Sequence, residues 1–136
     1  MQVKDIMSTN VVTVKQEDTA QCAAELMREH NIGAIPVVTG KNVCGMLTDR
    51  DIVLRCVAPG KQPGSCRVGE LMTSCAACVT PTQSVSDAIS LMSNEQVRRL
   101  PVLENGQLTG IVSLADVARI RKSPEVANAL SEISMP

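Results

Sequence analysis

Two short segments hold the residues best suited to chemistry. Gly45-Met-Leu-Thr48-Asp-Arg-Asp51 and Gly110-Ile-Val-Ser113-Leu-Ala-Asp116 share one pattern: glycine, two apolar residues, a hydroxyl residue, two further residues and aspartate. In each, the hydroxyl residue falls where an apolar strand pattern ends and a helical pattern begins. One reading is a helix cap. Thr48 or Ser113 accepts from an amide of the first helical turn, and the aspartate answers as the acid of a capping box. The other reading adds a ligand. A helix start offers free amides and partial positive charge to a phosphate. An ionised aspartate beside it can accept from two neighbouring ribose hydroxyls, and glycine lets backbone approach closely. The two readings are compatible, and recurrence of the pattern at one place in both halves favours more than capping.

The elements that position these segments come from an internal repeat. At an offset of 65 residues the chain aligns with itself without a gap. Val3 meets Val68, Met7 meets Met72, Val14 meets Val79, Ala23 meets Ala88, Met27 meets Met92, and Pro36-Val37 meets Pro101-Val102. Gly45 and Asp51 meet Gly110 and Asp116. The first repeat with its linker is assigned to residues 1–65 and the second to 66–122. The Pro- and Gly-rich stretch from Ala58 to Ser65 reads as a loop between them. Residues 123–136 form a tail with Val126, Ala129, Leu130 and Ile133 at helical spacing, so a short helix is expected there.

Each repeat reads β-α-β-β-α. In the first, Val11 to Val14 is expected as a short strand, and Asp18 or Thr19 caps a helix. Ala20, Ala23, Ala24 and Met27 give that helix an apolar face, and Asn31 and Gly33 stop it. Ile35 to Val38 and Val43 to Leu47 form a hairpin, followed by a helix from about Asp49 to Val57. In the second, Ser84 with Asp87 reads as a capping box ahead of Val85, Ala88, Ile89 and Met92. Leu100 to Leu103 and Leu108 to Ser113 flank Asn105-Gly106, a hairpin turn signal, and Leu114 to Arg121 closes the repeat. A unit of this length buries too little alone, so the two are expected to pack together, with pseudosymmetry creating two related clefts.

Composition narrows the function. The formal net charge is −1, so the chain has no basic excess to neutralise a phosphate backbone, and nucleic acid is not expected as a partner. No apolar run is long enough for a bilayer, so no membrane partner is expected. Met1 to Asp5 lacks the apolar stretch of a secretory signal, and a cytoplasmic location is expected. Trp, Tyr and Phe are all absent, so a planar ligand must sit between aliphatic side chains and backbone amides. No nucleophile and base stand in a recognisable catalytic frame, and no catalytic residue is expected. His30, beside Glu29, reads as a favourable charge at a helix end.

These segments resemble the CBS domain family, whose members usually occur as tandem pairs called Bateman modules. The resemblance rests on Asp5-Ile-Met7 and Glu70-Leu-Met72, on Ile32-Gly-Ala-Ile-Pro-Val-Val38 and Val97-Arg-Arg-Leu-Pro-Val-Leu103, and on the two Gly-x-x-Thr/Ser-x-x-Asp segments. It covers Val3 to about Lys122. Thr48-Asp-Arg-Asp-Ile52, with Arg28-Glu-His-Asn-Ile-Gly33 upstream, is most similar to small stand-alone bacterial members, including the mycobacterial hypoxia-response type. The resemblance implies an α/β fold: two pseudo-symmetric β-α-β-β-α CBS repeats packed into one Bateman module. It implies a non-catalytic regulatory module that binds AMP, ADP, ATP, NAD or S-adenosylmethionine, with no required cofactor. Carried over residue by residue, Asp51 and Asp116 hold ribose, and Thr48 and Ser113 touch phosphate or ribose. Backbone around Ile35-Pro36 and Leu100-Pro101 lines adenine slots, with Thr13 and Val14 in the first repeat. Arg50 is a candidate phosphate partner; Arg98 and Arg99, in the places of Gly33 and Ala34, can serve either nucleotide, the alternative being solvated surface charge. Cys78 stands where the first repeat has Thr13, so the first site ranks ahead. A homodimer and an unidentified regulated protein are the further partners implied.

Six cysteines are present, and only Cys75-Ala-Ala-Cys78 has a suggestive spacing. A zinc site normally needs four protein ligands and no second such pair exists, so no metal ligand is assigned. The alternatives to nucleotide binding are a redox- or metal-responsive protein using Cys75 and Cys78, and a structural dimerisation scaffold.

Overall fold

The computed structural model describes residues 1–74, 77–120, 127–128 and 131–133. These fold as two compact units. One comprises Val12–Ala76; the other joins Met1–Val11 to Ala77–Pro136.

In the unit Val12–Ala76, helix α1 (Ala20–His30) starts on Thr19, whose hydroxyl accepts from the Cys22 amide at 3.1 Å. Asn31 ends it in the left-handed region at φ 52°, a conformation asparagine tolerates better than most residues. Strands β1 (Ala34–Thr39) and β2 (Asn42–Thr48) form an antiparallel hairpin that turns at Gly40, φ 63°. Helix α2 (Asp49–Ile52) continues as a π-helical turn, Val53–Val57. Short α3 (Val68–Leu71) and β3 (Thr73–Ser74) follow, and β3 pairs with β2.

The second unit opens with a 3-10 turn, Val3–Asp5. Its α4 (Val85–Glu95) is capped by Ser84, which accepts from the Asp87 amide at 3.0 Å. Strands β4 (Arg99–Glu104) and β5 (Gln107–Ser113) turn at Asn105-Gly106, both at positive φ as the sequence signal requires. Helix α5 (Leu114–Ile120) closes the described part. Ile133 of the tail packs against this unit's core, and Ser93 donates to Glu132. Val126, Ala129, Leu130, Arg121 and Lys122 lie outside the described residues, as does Cys75.

Much of the two cores corresponds at the repeat offset. Val14, Ala23, Met27, Ile35, Val37 and Leu47 in one are matched by Val79, Ala88, Met92, Leu100, Val102 and Val112 in the other. The opening segments are interchanged, however. Val68, which begins the second repeat, is buried in the first repeat's body, and Val3 is buried in the second's. Sequence repeats and compact units therefore part company at residues 1–11 and 66–76. An apolar residue seeks the nearest face it can complete, and position along the chain does not enter that choice.

Three sequence expectations are corrected. Val11 to Val14 makes no strand: Val14 alone forms a bridge, parallel to Val37. Ala24 is exposed, so the apolar face of α1 runs through Ala20, Ala23 and Met27. The helix expected from Asp49 to Val57 changes from α to π winding at Val53.

Candidate functional site

The hydroxyl and carboxylate of each motif meet in the same geometry. Asp51 donates its amide to Thr48 Oγ1 at 3.1 Å, and Thr48 returns its amide to Asp51 Oδ2 at 3.0 Å. Asp116 donates to Ser113 Oγ at 3.1 Å, and Ser113 returns its amide to Asp116 Oδ2 at 2.9 Å. Both are complete capping boxes. The cap thus claims one oxygen of each carboxylate and leaves Oδ1 over. The two aspartate side chains are 12% and 19% exposed, enough to reach a ligand from a largely desolvated position.

Arginines meet these leftover oxygens, and they do so differently. Arg55 Nη1 stands 3.7 Å from Asp51 Oδ1, an ion pair without a hydrogen bond. Arg119 Nη2 donates to Asp116 Oδ1 at 3.1 Å. Sequence reasoning missed both arginines, although each lies one helical turn beyond its aspartate, the spacing at which helix neighbours touch. Asp51 Oδ1 is the more available acceptor.

The expected phosphate cradle at the start of α2 is corrected. Asp49 donates its amide to Gly33 O at 2.9 Å, Arg50 donates its amide to Asp49 Oδ1 at 2.8 Å, and Asp51 donates to Thr48. The first-turn amides are spent within the protein, so a phosphate there must be met by side chains. Arg50 is exposed on that turn. In the other unit Arg99 is half-buried and pairs across the hairpin with Ser113, where Ala34 pairs with Thr48. The two candidate arginines thus come from different elements, Arg50 from α2 and Arg99 from β4.

The motif glycines also serve another purpose than the one expected. A Cβ on Gly45 would lie 2.7 Å from Thr73 O and 2.8 Å from Met72 Sδ; on Gly110, 2.7 Å from Met7 Sδ and 2.9 Å from Ser8 O. The close approach is made by protein backbone and by the methionine that opens each repeat.

The expected adenine slots are built on backbone. Val14 donates its amide to Pro36 O at 3.1 Å and accepts from the Val38 amide at 2.8 Å. Val79 repeats this with Pro101 and Leu103 at the same distances. The side chains of Val14, Ile35 and Leu100 point into the cores at 2%, 0% and 0% exposure, so these residues can offer a ligand only their main chain. Pro36 and Pro101 are buried, and Thr13 is exposed beside Val14.

Of the cysteines, Cys22 and Cys78 are exposed, while Cys56 and Cys66 share the core of Val12–Ala76. Burial, then the Cys66 thiol beside it, pushes the Cys56 thiol up from its ordinary value. Among the described residues no group of three metal-ligating side chains is present, and no helix is long and apolar enough to cross a membrane.

Comparison with known proteins places this geometry. The CBS domain pattern matches residues 3–57 and again 68–123. CBS domain-containing protein YhcV of Bacillus subtilis is 47% identical, over 97% of this chain and 94% of its own. Hypoxic response protein 1 of Mycobacterium tuberculosis is 37% identical, over 98% of this chain and 94% of its own. The crystal structure of Hypoxic Response Protein I, which holds two coordinated zinc ions, superposes with a TM-score of 0.82 at 39% identity, covering 89% of this chain and 99% of that one. The CBS domain pair of protein MJ0100, in complex with 5'-methylthioadenosine and S-adenosyl-L-methionine, superposes with a TM-score of 0.79 at 26% identity, covering 88% and 94%. The chain belongs to the CBS domain family and carries two of its domains, an α/β regulatory module with one motif of hydroxyl and carboxylate in each.

Proposed function

We propose that this module is non-catalytic and binds an adenine nucleotide or related adenosyl ligand, with the Thr48–Asp51 motif as the first site. The observation that carries this reading is Asp51 Oδ1, a carboxylate oxygen left over by the cap and not hydrogen-bonded by Arg55. A ribose with two adjacent hydroxyls supplies two donors, and Oδ1 has two lone pairs to accept them. Backbone near Val14, Ile35 and Pro36 lines the base, and Arg50 meets phosphate. Ser113 and Asp116 form the second site, with Leu100 and Pro101 in the places of Ile35 and Pro36, and with Arg99 in the place of Ala34 as a further guanidinium. That site is weaker because Arg119 already donates to Asp116 Oδ1. The adenosyl compounds held by the pair from MJ0100 support the ligand class.

The test is an ultraviolet spectrum of freshly purified protein, with mass spectrometry of acid-released small molecules. The chain has no Trp, Tyr or Phe, so its own near-ultraviolet background is almost nil. An adenine band is expected, and the mass names the ligand. Protein that is blank and also fails to bind AMP, ATP, NAD or S-adenosylmethionine by calorimetry removes the reading. Stoichiometric zinc in place of nucleotide moves it to a metal-responsive protein, as the zinc ions of Hypoxic Response Protein I would support.

The module is further proposed to act as a homodimer that reports ligand status to a regulated protein. Val53, Leu54 and Val57 are 53%, 49% and 55% exposed on the π-helical turn, an apolar patch suited to a second copy. Leu54→Glu is expected to shift the mass from dimer to monomer by size exclusion with light scattering. A monomeric parent protein would refute the dimer.

A further inference from the structure

Arg55 lies outside the set that sequence reasoning singled out, and its contacts reach beyond the motif. Its Nη1 donates to Leu71 O at 2.8 Å and to Met72 O at 3.3 Å, and stands 3.5 Å from Thr73 Oγ1. The same nitrogen is 3.7 Å from Asp51 Oδ1. We infer that Arg55 is a positioning residue that couples ligand occupancy at Asp51 to the segment 71–74. The inference rests on the adenosyl reading of the Thr48–Asp51 motif.

The physical argument is a competition for hydrogens. A guanidinium Nη carries two, and here carbonyl oxygens of Leu71 and Met72 take them. Asp51 Oδ1 receives the charge without a proton and keeps its lone pairs. When ribose hydroxyls donate to Oδ1, they partly satisfy the carboxylate, and its pull on Nη1 falls. The guanidinium then settles onto the carbonyls that end α3. Those carbonyls lead directly into β3, which pairs with Gly45 and Met46 of β2. Occupancy is thereby expressed as tighter backbone at 71–74.

The other unit provides an internal control. Asp116 is met by Arg119, whose side chain is 74% exposed and whose interactions among the described residues stay within its own helix. At the repeat offset Arg55 corresponds to Ile120, which is 46% exposed and has no hydrogen to give. The coupling therefore belongs to one repeat, and segment 6–9, the counterpart of 71–74, lacks it.

The experiment is hydrogen–deuterium exchange with and without saturating AMP, on the wild-type chain and on Arg55→Met and Arg55→Lys. AMP is expected to slow exchange at 71–74 and around 48–51 in the wild type. The Arg55 side chain is half exposed, so Arg55→Met changes AMP affinity by about fivefold or less. At saturation it keeps the slowing around 48–51 and loses it at 71–74. Arg55→Lys retains a cation near the carbonyls and restores part of the loss. Slowing at 71–74 that persists in Arg55→Met overturns the inference. So does its absence in saturated wild type, or an Arg55→Lys no different from Arg55→Met. Failure of the wild type to bind any adenosyl ligand instead overturns the site itself, and the coupling with it.

Discussion

Asp51→Ala is expected to weaken adenine-nucleotide binding by about 10- to 100-fold, the loss of a charge-assisted hydrogen bond of roughly 1.5–3 kcal/mol. The variant also loses the Asp51 half of the capping box, a neutral-scale contribution of about 1 kcal/mol to stability. The two effects are separable. Asparagine at this position still offers an oxygen to the Thr48 amide, so Asp51→Asn keeps the cap while removing the charge. Calorimetry on both folded variants is expected to show both weakened and Asp51→Asn the more stable. Affinity unchanged in both would remove Asp51 from the site. Loss in Asp51→Ala alone would mean that the aspartate acts through the cap only.

Gly45→Ala is expected to lower unfolding stability by about 1–3 kcal/mol, the usual cost of forcing a methyl group into filled space. That is a large share of a net stability that is about 5–15 kcal/mol for a typical domain. The new Cβ meets Met72 Sδ, which can swing away, and Thr73 O, which cannot move without disturbing the pairing of β3 with β2. The backbone contact decides the sign. Gly64 is the control, since a Cβ there meets nothing within 4 Å. Gly64→Ala is expected within about 0.5 kcal/mol of the parent in urea titration. Equal midpoints for the two variants would show that the 71–74 segment yields, and that Gly45 is not required for its approach.

The gap between these two motif residues illustrates what kind of information a sequence holds. Spacing was enough for the order of elements, because the helical repeat of Ala20, Ala23 and Met27 and the turn signal between Leu100–Leu103 and Leu108–Ser113 are imposed by local geometry. Caps at Thr19, Ser84, Thr48 and Ser113 were legible for the same reason: the bond spans three residues. The left-handed Asn105-Gly106 turn is likewise a property of two adjacent residues. The bridge at Val14 was not legible as such. Whether an apolar run becomes a strand or a single bridge depends on how much partner backbone passes beside it, and among the described residues the bridge is to Val37 alone.

At the site, the sequence by itself determined the paired motifs, the asymmetry of Arg50 against Ala115 and Thr13 against Cys78, and the family. The tertiary structure decided how those groups are used. It spent the first-turn amides of α2 on Gly33 O, Asp49 and Thr48, and it turned Gly45 and Gly110 toward the opening methionines. It placed Arg55 between Asp51 and the carbonyls of Leu71 and Met72, groups 16 and 17 residues away in the chain. It buried Val3 and Val68 in the body of the other repeat. The physical reason is the same in each case. Hydrogen-bond partners and close packing are set by distance in space, and contacts between residues far apart in sequence leave no periodic trace for composition or spacing to reveal.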